Sequence, residues 1–319
     1  MRFPAGAALL FSAATALAQG GFPTKAVTVL VPFAPGGGSD TVARTIQAKL
    51  SEKLGQPMLV ENRTGASGAI ATAAVAKAPP DGHTLFLSWD THAINPVIMK
   101  DLPYDTFKDF APVTLLARLP LVMGAWAGLP ANTLAEFIAL AKRQPGKLNY
   151  ASVGTASSNR LYSEYMHSIA GIQLAHIPYK GGGPSIQAML TGEVAYSLLS
   201  FASMKGHIQS GKLKAFAVTG SKRMADLPDV PTMVESGFPG FEVYGWIGIF
   251  APAGTPEAVV ARLNRDFVAT INDPEVVKKL TAAGVESVGS NPAELDRWVR
   301  AEYEKWSKFV KGSNLSFRE

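Results

Sequence analysis

A glycine-rich stretch near the N-terminus carries the residue types and spacing best suited to holding an anion. The run from Val27 to Val31 is short, apolar and rich in β-branched residues, which predicts a strand buried on both faces. Pro35 ends this run, and the glycines at 36–38 let the backbone turn sharply and expose its N–H groups. Ser39 is predicted to cap the helix that follows. A strand, a glycine turn and a helix N-terminus can hold an anion without a charged side chain.

The same stretch has three other interpretations: a turn that binds no ligand stays open, and two nucleotide-binding motifs are disfavoured. A tight turn between a strand and a helix can have this composition and bind no ligand, and these residues alone do not decide between the two. A dinucleotide-binding fingerprint would need a third glycine near position 41, where Thr41 stands. A P-loop would need a Gly-Lys-Ser/Thr triplet, which does not follow. A small anion is therefore favoured over a nucleotide.

The sequence gives little evidence for a catalytic site. There is no cysteine, no Gly-x-Ser-x-Gly elbow and no His-Glu-x-x-His helix. Ser157 and Ser158 could be nucleophiles, but serines at a helix start more often cap the helix or bind an anion. The histidines show no metal-ligand spacing, so we expect neither a metal nor a cofactor; they are His83, His92, His167, His176 and His207. The chain is predicted not to be an enzyme, and a hydrolase is the less favoured alternative.

Length and charge point to a soluble chain of two domains that binds a small anion. The chain has 319 residues, of which 47% are hydrophobic. Lys and Arg number 30 against 25 Asp and Glu, a net charge of +5. The basic residues are scattered and form no nucleic-acid-binding face. The mild positive charge instead supports an anionic small molecule.

The first residues predict export. Arg2 precedes an apolar, alanine-rich run from Ala5 to Leu17, and Ala16-Leu17-Ala18 is a small-x-small cleavage signal. The apolar run is too short for an ordinary membrane span. We therefore expect a signal peptide over residues 1–18, cleaved near Ala18.

The elements that must position these residues alternate between strands and helices. Further strands are predicted at 58–62, 84–88, 148–152, 173–177, 196–199 and 213–218, with helices between them, for example at 70–77 and 160–169. This order indicates α/β architecture, a parallel sheet covered on both faces. Ligands of such sheets lie beyond the carboxyl ends of the strands. The segments 33–39 and 88–95, with their equivalents further on, are therefore candidate ligand loops.

Two crossings divide the predicted chain into lobes. Extended runs at 113–119 and 121–126 are hinged at Pro120, and the proline-rich segment 227–232 is the predicted return. Residues 19–119 and 230–319 would form lobe 1, residues 120–229 lobe 2, and the ligand cleft would lie between them.

Helix starts are predicted from capping residues. Thr133 and Glu136 form a capping box, and Pro184 suits the first position of a helix. Thr255, Asp273 and Asn291 each precede a proline and are predicted to cap three later helices. The last of these helices carries a docking face with Leu295, Trp298, Val299, Ala301, Trp306, Phe309 and Val310.

Eight stretches in this order resemble the Bug-type solute-binding proteins of tripartite tricarboxylate transporters. They cover essentially the whole chain after the signal peptide: Pro32-Phe-Ala-Pro-Gly-Gly-Gly-Ser-Asp40, Val60-Glu-Asn-Arg63, Pro80-Asp-Gly-His-Thr-Leu85, Thr91-His-Ala-Ile-Asn-Pro96, Tyr104-Asp105 with Lys108-Asp-Phe110, His176-Ile-Pro-Tyr-Lys-Gly-Gly-Gly-Pro184, Leu227-Pro-Asp-Val-Pro-Thr232 and Ala251-Pro-Ala-Gly-Thr-Pro256.

The resemblance implies a type II periplasmic-binding-protein fold, whose two α/β lobes close on an organic acid. It implies that backbone N–H groups of glycine-containing loops, together with ordered water, hold a carboxylate. It further implies a periplasmic monomer that delivers its ligand to the membrane permease of a tripartite transporter. A module that reports to a membrane sensor would share every one of these residues and stays an alternative.

Two positions depart from the family pattern and concern the ligand. Ala156 replaces the second glycine of a Gly-x-Gly-Ser start, and Arg160 stands about where histidine is usual. Ala195 follows Gly-Glu-Val where the family frequently has aspartate.

The residues predicted to bind the ligand come from the loops of both lobes. They are Phe33, Pro35, Gly36, Gly37, Gly38, Ser39, Ser88, Trp89 and Thr91 in lobe 1, and Ser152, Gly154, Ser157, Arg160, Tyr179, Lys180, Gly181, Gly182 and Ser200 in lobe 2. Gly37, Gly38 and Ser39 are expected to hold one carboxylate together with Gly181 and Gly182.

Arg160 has two interpretations. It is either a solvated surface residue or a cleft residue that binds a second carboxylate with its planar fork. In the second case Trp89 would supply an apolar wall, which makes an aromatic or long-chain dicarboxylate plausible beside citrate-like acids.

Overall fold

A computed structural model describes residues 21–313, 315 and 317. The predicted signal peptide and its cleavage site lie outside these residues. Within the described part of the chain, none of the helices combines the length and apolarity needed to cross a membrane.

The first three strands form a parallel sheet, as the sequence predicts. β1 (Val27–Val31) lies between β2 (Met58–Asn62) and β3 (Thr84–Leu87) and is parallel to both. Val31 is in register with Asn62, and Leu30 with Phe86. The loops after all three strands therefore leave the sheet at the same edge.

One long strand joins two sheets. β4 (Phe110–Trp126) pairs antiparallel with β9 (Tyr244–Pro252) over its first part, where Pro120 faces Tyr244. From Leu121 onward β4 pairs with β7 (Tyr196–Ser200) and β8 (Leu213–Val218). The two extended runs on either side of Pro120 are thus one continuous strand that changes partners there.

The second sheet repeats the parallel arrangement of the first. β5 (Asn149–Ser152) lies between β6 (Ala175–Pro178) and β7 and is parallel to both. Ser152 is in register with Pro178, so the loops after β5 and β6 are neighbours at one edge of the sheet.

Helices cover the two sheets. In the described part of the chain they are α1 (Gly38–Leu54), α2 (Ala69–Ala76), α3 (Thr91–Ile98), α4 (Leu134–Arg143), α5 (Ser158–Ala170), α6 (Gly182–Thr191), α7 (Phe201–Gln209), α8 (Glu257–Ile271), α9 (Pro274–Ala282) and α10 (Pro292–Lys311). A 3-10 helix at Ala66–Gly68 precedes α2, and β10 (Glu286–Ser287) pairs with β4.

The C-terminal helix packs on both sheets. Leu295 and Val299 of α10 lie in a core cluster with Phe86 of β3. Trp306, in the second half of the same helix, lies in a different cluster together with Tyr162 of α5. Most of the predicted apolar face of this helix is therefore buried in two cores, whereas Ala301 is exposed. Met233 and Phe241 also belong to the cluster with Tyr162, so the chain beyond the proline-rich segment still packs there.

Three of the helix starts predicted from capping residues are confirmed and three are wrong. Thr133 accepts a hydrogen bond from Glu136 N–H, Asp273 caps α9, and Asn291 forms a complete capping box with Glu294.

The cap of α1 is Gly37, and Ser39 is its second helical residue. The cap of α8 is Pro256, not Thr255. Pro184 is the third residue of α6, because the two glycines before it already adopt helical geometry.

Candidate functional site

The glycine turn after β1 already holds an anion of the protein itself. Gly36 has a φ of +83° and donates its N–H to Asp40 Oδ2 at 2.9 Å. Asp40 is only 3% exposed. Burial raises its pKa, but hydrogen bonds from Arg44, Gly36 and Asn62 outweigh burial and hold the pKa below its usual range. The predicted donor Gly36 therefore serves Asp40.

The first turn of α1 supplies the donors that remain. The first bond of the helix runs from Thr41 N–H to Gly37 O, so the N–H groups of Gly38 and Ser39 precede the helical ladder. Gly37 N–H reaches Ala34 O at 3.4 Å. Gly38, and Ser39, which is only 1% exposed, therefore stay candidates for backbone donors to an external anion.

Trp89 forms a wall beside this helix start. A Cβ on Gly38 would lie 3.2 Å from its indole, and one on Gly245 would lie 2.6 Å from it. Phe33 meets the half-buried ring edge-on at a centroid distance of 6.3 Å. The structure therefore brings Phe33, Gly38 and Trp89 together. Glycine is required at position 245 for this close approach, whereas a Cβ at position 38 would need its neighbours to shift by a few tenths of an ångström.

Ser88 and Thr91 flank Trp89 but have different surroundings. Ser88 is fully buried, its N–H bonds to Gly248 O, and its hydroxyl accepts from Gly248 N–H at 3.1 Å. Ser88 thus extends the pairing of β3 with β9. Thr91 is the buried first residue of α3, and its hydroxyl would lie 3.6 Å from a Cβ on Gly68.

The loop after β5 is closed by its own serines. Ser152 and Ser157 both donate their hydroxyls to Gly154 O, at 2.8 and 2.7 Å. Ser157 is also the backbone N-cap of α5, without a side-chain cap bond. Ser152, Gly154 and Ser157 therefore form one hydrogen-bonded loop. The groups of this loop that stay available to a ligand are mainly backbone groups.

Ser152 lies against a histidine in a contact that resembles a nucleophile–base pair. Its Oγ is 2.6 Å from His176 Nε2. Burial and the nearby Arg160 lower the pKa of His176 to about 4, with Glu164 acting in the opposite direction, so the ring is neutral at pH 7. Ser152 itself is 0% exposed. Its hydroxyl is therefore inaccessible to a substrate in this conformation.

The loop after β6 is the second glycine turn. Tyr179 N–H donates to Ser152 O, which ties this loop to the one after β5. The Tyr179 hydroxyl donates to Glu193 Oε1 at 2.7 Å; burial, this bond and the carboxylate's charge raise its pKa to about 12. Lys180 is exposed, Gly181 has a φ of +104°, and a Cβ on Gly182 would meet no atom within 4 Å. The start of α6 therefore faces open space.

The remaining two predicted residues of this lobe make contacts within the protein. Ser200 ends β7, is the N-cap of α7 and contacts Ser203 Oγ at 3.1 Å. Arg160 is half-buried and donates from Nη1 to Thr155 O at 2.9 Å. Its guanidinium also lies 4.7 Å from the centre of the Phe317 ring. Arg160 is therefore held against the loop after β5 and the C-terminal segment.

Two contacts that the sequence analysis missed connect the loops of the two sheets. Ser67 Oγ donates to Ala156 O at 2.6 Å. Tyr162 on α5 donates to Asp90 Oδ2 at the start of α3 at 2.8 Å. Ser67 and its neighbour Ala66 have φ values of +49° and +46°, unusual for residues with a Cβ. The glycines on either side of this pair signalled a turn, but no pattern indicated its partner.

Asp90 is a fully buried acid at this junction. Burial, with a smaller effect of nearby Glu302, raises its pKa to about 7, while hydrogen bonds from Tyr162, Ser158 and Thr91 act in the opposite direction. Among the described residues, no group of three or more His, Asp or Glu side chains is placed to hold a metal ion. The site is thus a set of backbone donors beside an aromatic wall.

A surface cavity of about 450 Å³ lies elsewhere, between the C-terminal ends of α4 and α5, where Lys142 and His167 line it. It is separated from the ligand loops by the length of α5, roughly 18 Å.

The chain is similar to known proteins over most of its length. A family model described as "Tripartite tricarboxylate transporter family receptor" matches residues 42–315. The chain is 38% identical to a "UPF0065 protein in tcbD-tcbE intergenic region" of Pseudomonas sp. (strain P51), over 97% of this chain and 93% of the relative. It is 34% identical to "Protein BugT" of Bordetella pertussis, over 93% and 92%.

Three solved structures are similar over nearly their whole lengths. The periplasmic binding protein BugD is 34% identical with a TM-score of 0.83, covering 91% of this chain and 98% of its own. A protein of R. palustris with adipate is 35% identical with a TM-score of 0.85, covering 91% and 98%. MatC of Rhodopseudomonas palustris with bound malate is 37% identical with a TM-score of 0.82, covering 91% and 100%.

Proposed function

The chain belongs to the tripartite tricarboxylate transporter receptor family and has its two-lobed periplasmic-binding-protein fold, and from this we propose that it captures a dicarboxylate and delivers it to a membrane permease. The predicted Bug-type resemblance and fold are thereby confirmed. The proposal concerns the ligand, the residues that hold it and the delivery step.

The observation that carries the proposal is the start of α1. Gly38 and Ser39 offer backbone donors at a helix N-terminus, where the helix dipole favours an anion. Trp89 lies against the same residues and offers an apolar wall for the carbon chain. Backbone donors next to an aromatic surface suit a carboxylate attached to a hydrocarbon.

The second set of donors lies at the start of α6. Gly181 and Gly182 begin that helix, and the space in front of Gly182 is open. We infer that these residues hold the same carboxylate from lobe 2. The left-handed backbone that requires glycine is found at Gly36 and Gly181, not at Gly37 or Gly182. A side chain at Gly182 would therefore act by filling space, without straining the backbone.

Relatives narrow the class of ligand. Two of the similar structures contain adipate and malate, which are both dicarboxylates. Arg160 is our candidate for the second carboxylate, because its fork matches that group. Aliphatic and aromatic dicarboxylates are thus the ligands to test first.

The experiment is a calorimetric titration of the mature chain with matched acids and amides. The panel contains malate, adipate, citrate, an aromatic dicarboxylate, one monocarboxylate, and the diamides of malate and adipate. We expect micromolar or tighter binding of at least one dicarboxylate and no binding of its diamide, which has nearly the same shape without the charge. Equal binding of acid and amide would refute carboxylate recognition.

The alternatives are tested with the same preparation. A hydrolase would use Ser152 and His176, but the full burial of Ser152 argues against it. Turnover of generic esters that disappears in Ser152→Ala would revive that function. Capture of the ligand-loaded chain by membranes that contain the permease, but not by membranes without it, supports delivery over sensing.

Export is part of the proposal. The N-terminal residues predict cleavage near Ala18. Mass spectrometry of protein recovered from the periplasm should give a chain that begins near Gln19, and an intact Met1 would contradict this.

A further inference from the structure

Behind the glycine turn lies a cluster of three polar side chains, Asp40, Arg44 and Asn62, which we name the Asp40 cluster. Asp40 Oδ2 accepts from Gly36 N–H at 2.9 Å, and both of its oxygens lie 3.0 Å from Arg44 Nε. Asn62 Nδ2 donates to Asp40 Oδ1 at 2.9 Å, and Asn62 Oδ1 accepts from Arg44 Nη2 at 3.1 Å. Every member is thus bonded to both others.

The cluster grips both ends of the turn. Asn62 Nδ2 donates a second bond, to Phe33 O, at 2.9 Å. Gly36 N–H, at the other end, is bonded to Asp40. Asn62 is the last residue of β2 and lies beside Val31, so the sheet itself anchors the grip. The turn from Phe33 to Gly36 is therefore fixed by side chains from β2 and α1.

This arrangement keeps a buried carboxylate ionised. An unpaired buried charge would be costly, but Asp40 has several donors and the charge of Arg44 beside it. Its position in the first turn of α1 also places it where the helix dipole favours an anion. The hydrogen bonds hold the pKa of Asp40 below its usual range despite burial, so the cluster is intact at neutral pH.

The hydrogen bonds of the Asp40 cluster determine which backbone N–H groups a ligand can use. Because Asp40 occupies Gly36 N–H, an incoming carboxylate meets the N–H groups of Gly38 and Ser39. We propose that Asp40 and Asn62 are positioning residues for the ligand: they fix the turn so that these two N–H groups stay aimed at the carboxylate. The inference rests on the proposed function, since it assigns roles within the same site.

Asn62 gives the cleaner test, because its removal leaves the charge near the ligand unchanged. Replacement of Asp40 would loosen the turn and also remove a negative charge that repels the ligand, so two effects would oppose each other. Asn264 is a matched control. Its Nδ2 bridges two backbone carbonyls of the same lobe, Val113 O and Ser290 O, at 2.8 Å each.

The experiment compares Asn62→Ala with Asn264→Ala in the mature chain, with the tightest dicarboxylate of the panel as the probe. Asn62→Ala loses three side-chain hydrogen bonds and Asn264→Ala loses two, so a comparable fall in Tm is expected. Asn62→Ala should bind at least tenfold more weakly, and Asn264→Ala within twofold of wild type. Hydrogen exchange without ligand should show faster exchange at Gly36 N–H in Asn62→Ala only.

Asp40→Asn is the second variant, measured in parallel with Asp266→Asn. Asp266 also forms an i, i+4 ion pair, with Arg262 on α8, in which the order of acid and base along the helix is reversed. Faster exchange at Gly36 in Asp40→Asn alone supports the grip. If wild type binds an acid of the panel, and Asn62→Ala and Asn264→Ala bind that acid with equal affinity, this inference is overturned and the proposed function stands. If wild type binds no acid of the panel, the proposed function fails, and this inference fails with it.

Discussion

The hydroxyl of Tyr162 on α5 donates a 2.8 Å hydrogen bond to the Asp90 carboxylate at the start of α3. The two residues are 72 positions apart and belong to elements that cover different sheets. Both are fully buried, so the bond joins the two halves of the molecule in a water-free environment. Its strength therefore depends on the protonation state of Asp90.

The first prediction concerns stability against pH. The pKa of Asp90 is raised from 3.8 to about 7 in the fold, so the folded state binds its proton more tightly. This contribution to stability is complete below pH 3.8 and is lost as the pH rises through 7, with a full effect on the order of 4 kcal/mol. Asp90→Asn should therefore show a smaller fall in unfolding free energy between pH 5 and pH 8 than wild type.

Tyr162→Phe is the companion variant. It removes a donor to a buried carboxylate and should cost about 1–3 kcal/mol at pH 8, and less at pH 5 where Asp90 is protonated. In the Asp90→Asn background this pH dependence should disappear. Denaturant titrations at both pH values measure it, and a cost in Tyr162→Phe that is independent of pH would contradict the assignment.

The second prediction concerns Ser67, whose hydroxyl bonds to Ala156 O at 2.6 Å across the loops. Ser67→Ala should raise the ligand's dissociation rate roughly fivefold, since a hydrogen bond of this kind contributes about 1 kcal/mol and is made between the lobes. Ser236→Ala is the control, because Ser236 Oγ bonds to Thr232 O at 2.8 Å nearby in sequence. Stopped-flow release rates should change only in Ser67→Ala; equal rates in both variants would show that this contact does not hold the ligand-bound form.

The third prediction concerns the buried His92. Its ring packs against Phe86, Phe110 and Phe250, and neither ring nitrogen has a hydrogen-bond partner among the described residues. Burial lowers the pKa of His92 to about 3, so the unfolded chain binds this proton more readily. Stability from this residue is complete above pH 6.5 and falls as the pH drops toward 3, by about 2 kcal/mol at pH 5. His92→Phe should reduce the acid sensitivity, and an unchanged pH profile would refute this.

The fourth prediction tests the start of α6. Gly182→Val adds a side chain into open space in front of that helix and should weaken dicarboxylate binding at least tenfold by occupying the ligand's position. Gly206→Val on α7 is the control, because a Cβ there also meets no atom within 4 Å. Calorimetry on both variants decides it. Normal binding by Gly182→Val would remove lobe 2 from the carboxylate site.

The fifth prediction concerns the second carboxylate. If Arg160 binds it, Arg160→Ala should lose about tenfold in affinity for a dicarboxylate and little for the matching monocarboxylate. Phe317→Ala is the control, since it removes the ring beside the guanidinium without removing the charge. An unchanged preference for the dicarboxylate in Arg160→Ala would return this residue to a structural role at Thr155.

Local patterns were sufficient for many of the elements and for the family, but they predicted neither α3, α7 nor β9. The bounds of β1, β2 and β8 follow from apolar runs and the turn residues at their ends. Asp273 and Asn291 identified two helix starts, because a cap bonds to backbone only two or three residues away. The glycine turns and prolines along the chain also sufficed to recognise the family. Each of these signals is contained within a few consecutive residues.

The tertiary structure decided which groups remain available to a ligand. Gly36 N–H is used by Asp40, whose carboxylate is held in turn by Asn62, 22 positions away. Ser88 Oγ accepts a hydrogen bond from Gly248 N–H, 160 positions away. Ser67 Oγ donates to Ala156 O in the loop after β5, which belongs to the other sheet. Hydrogen-bond partners at such separations are brought together only when the sheets and helices pack. Sequence patterns therefore located the loops, and packing determined which of their donors and side chains are already occupied.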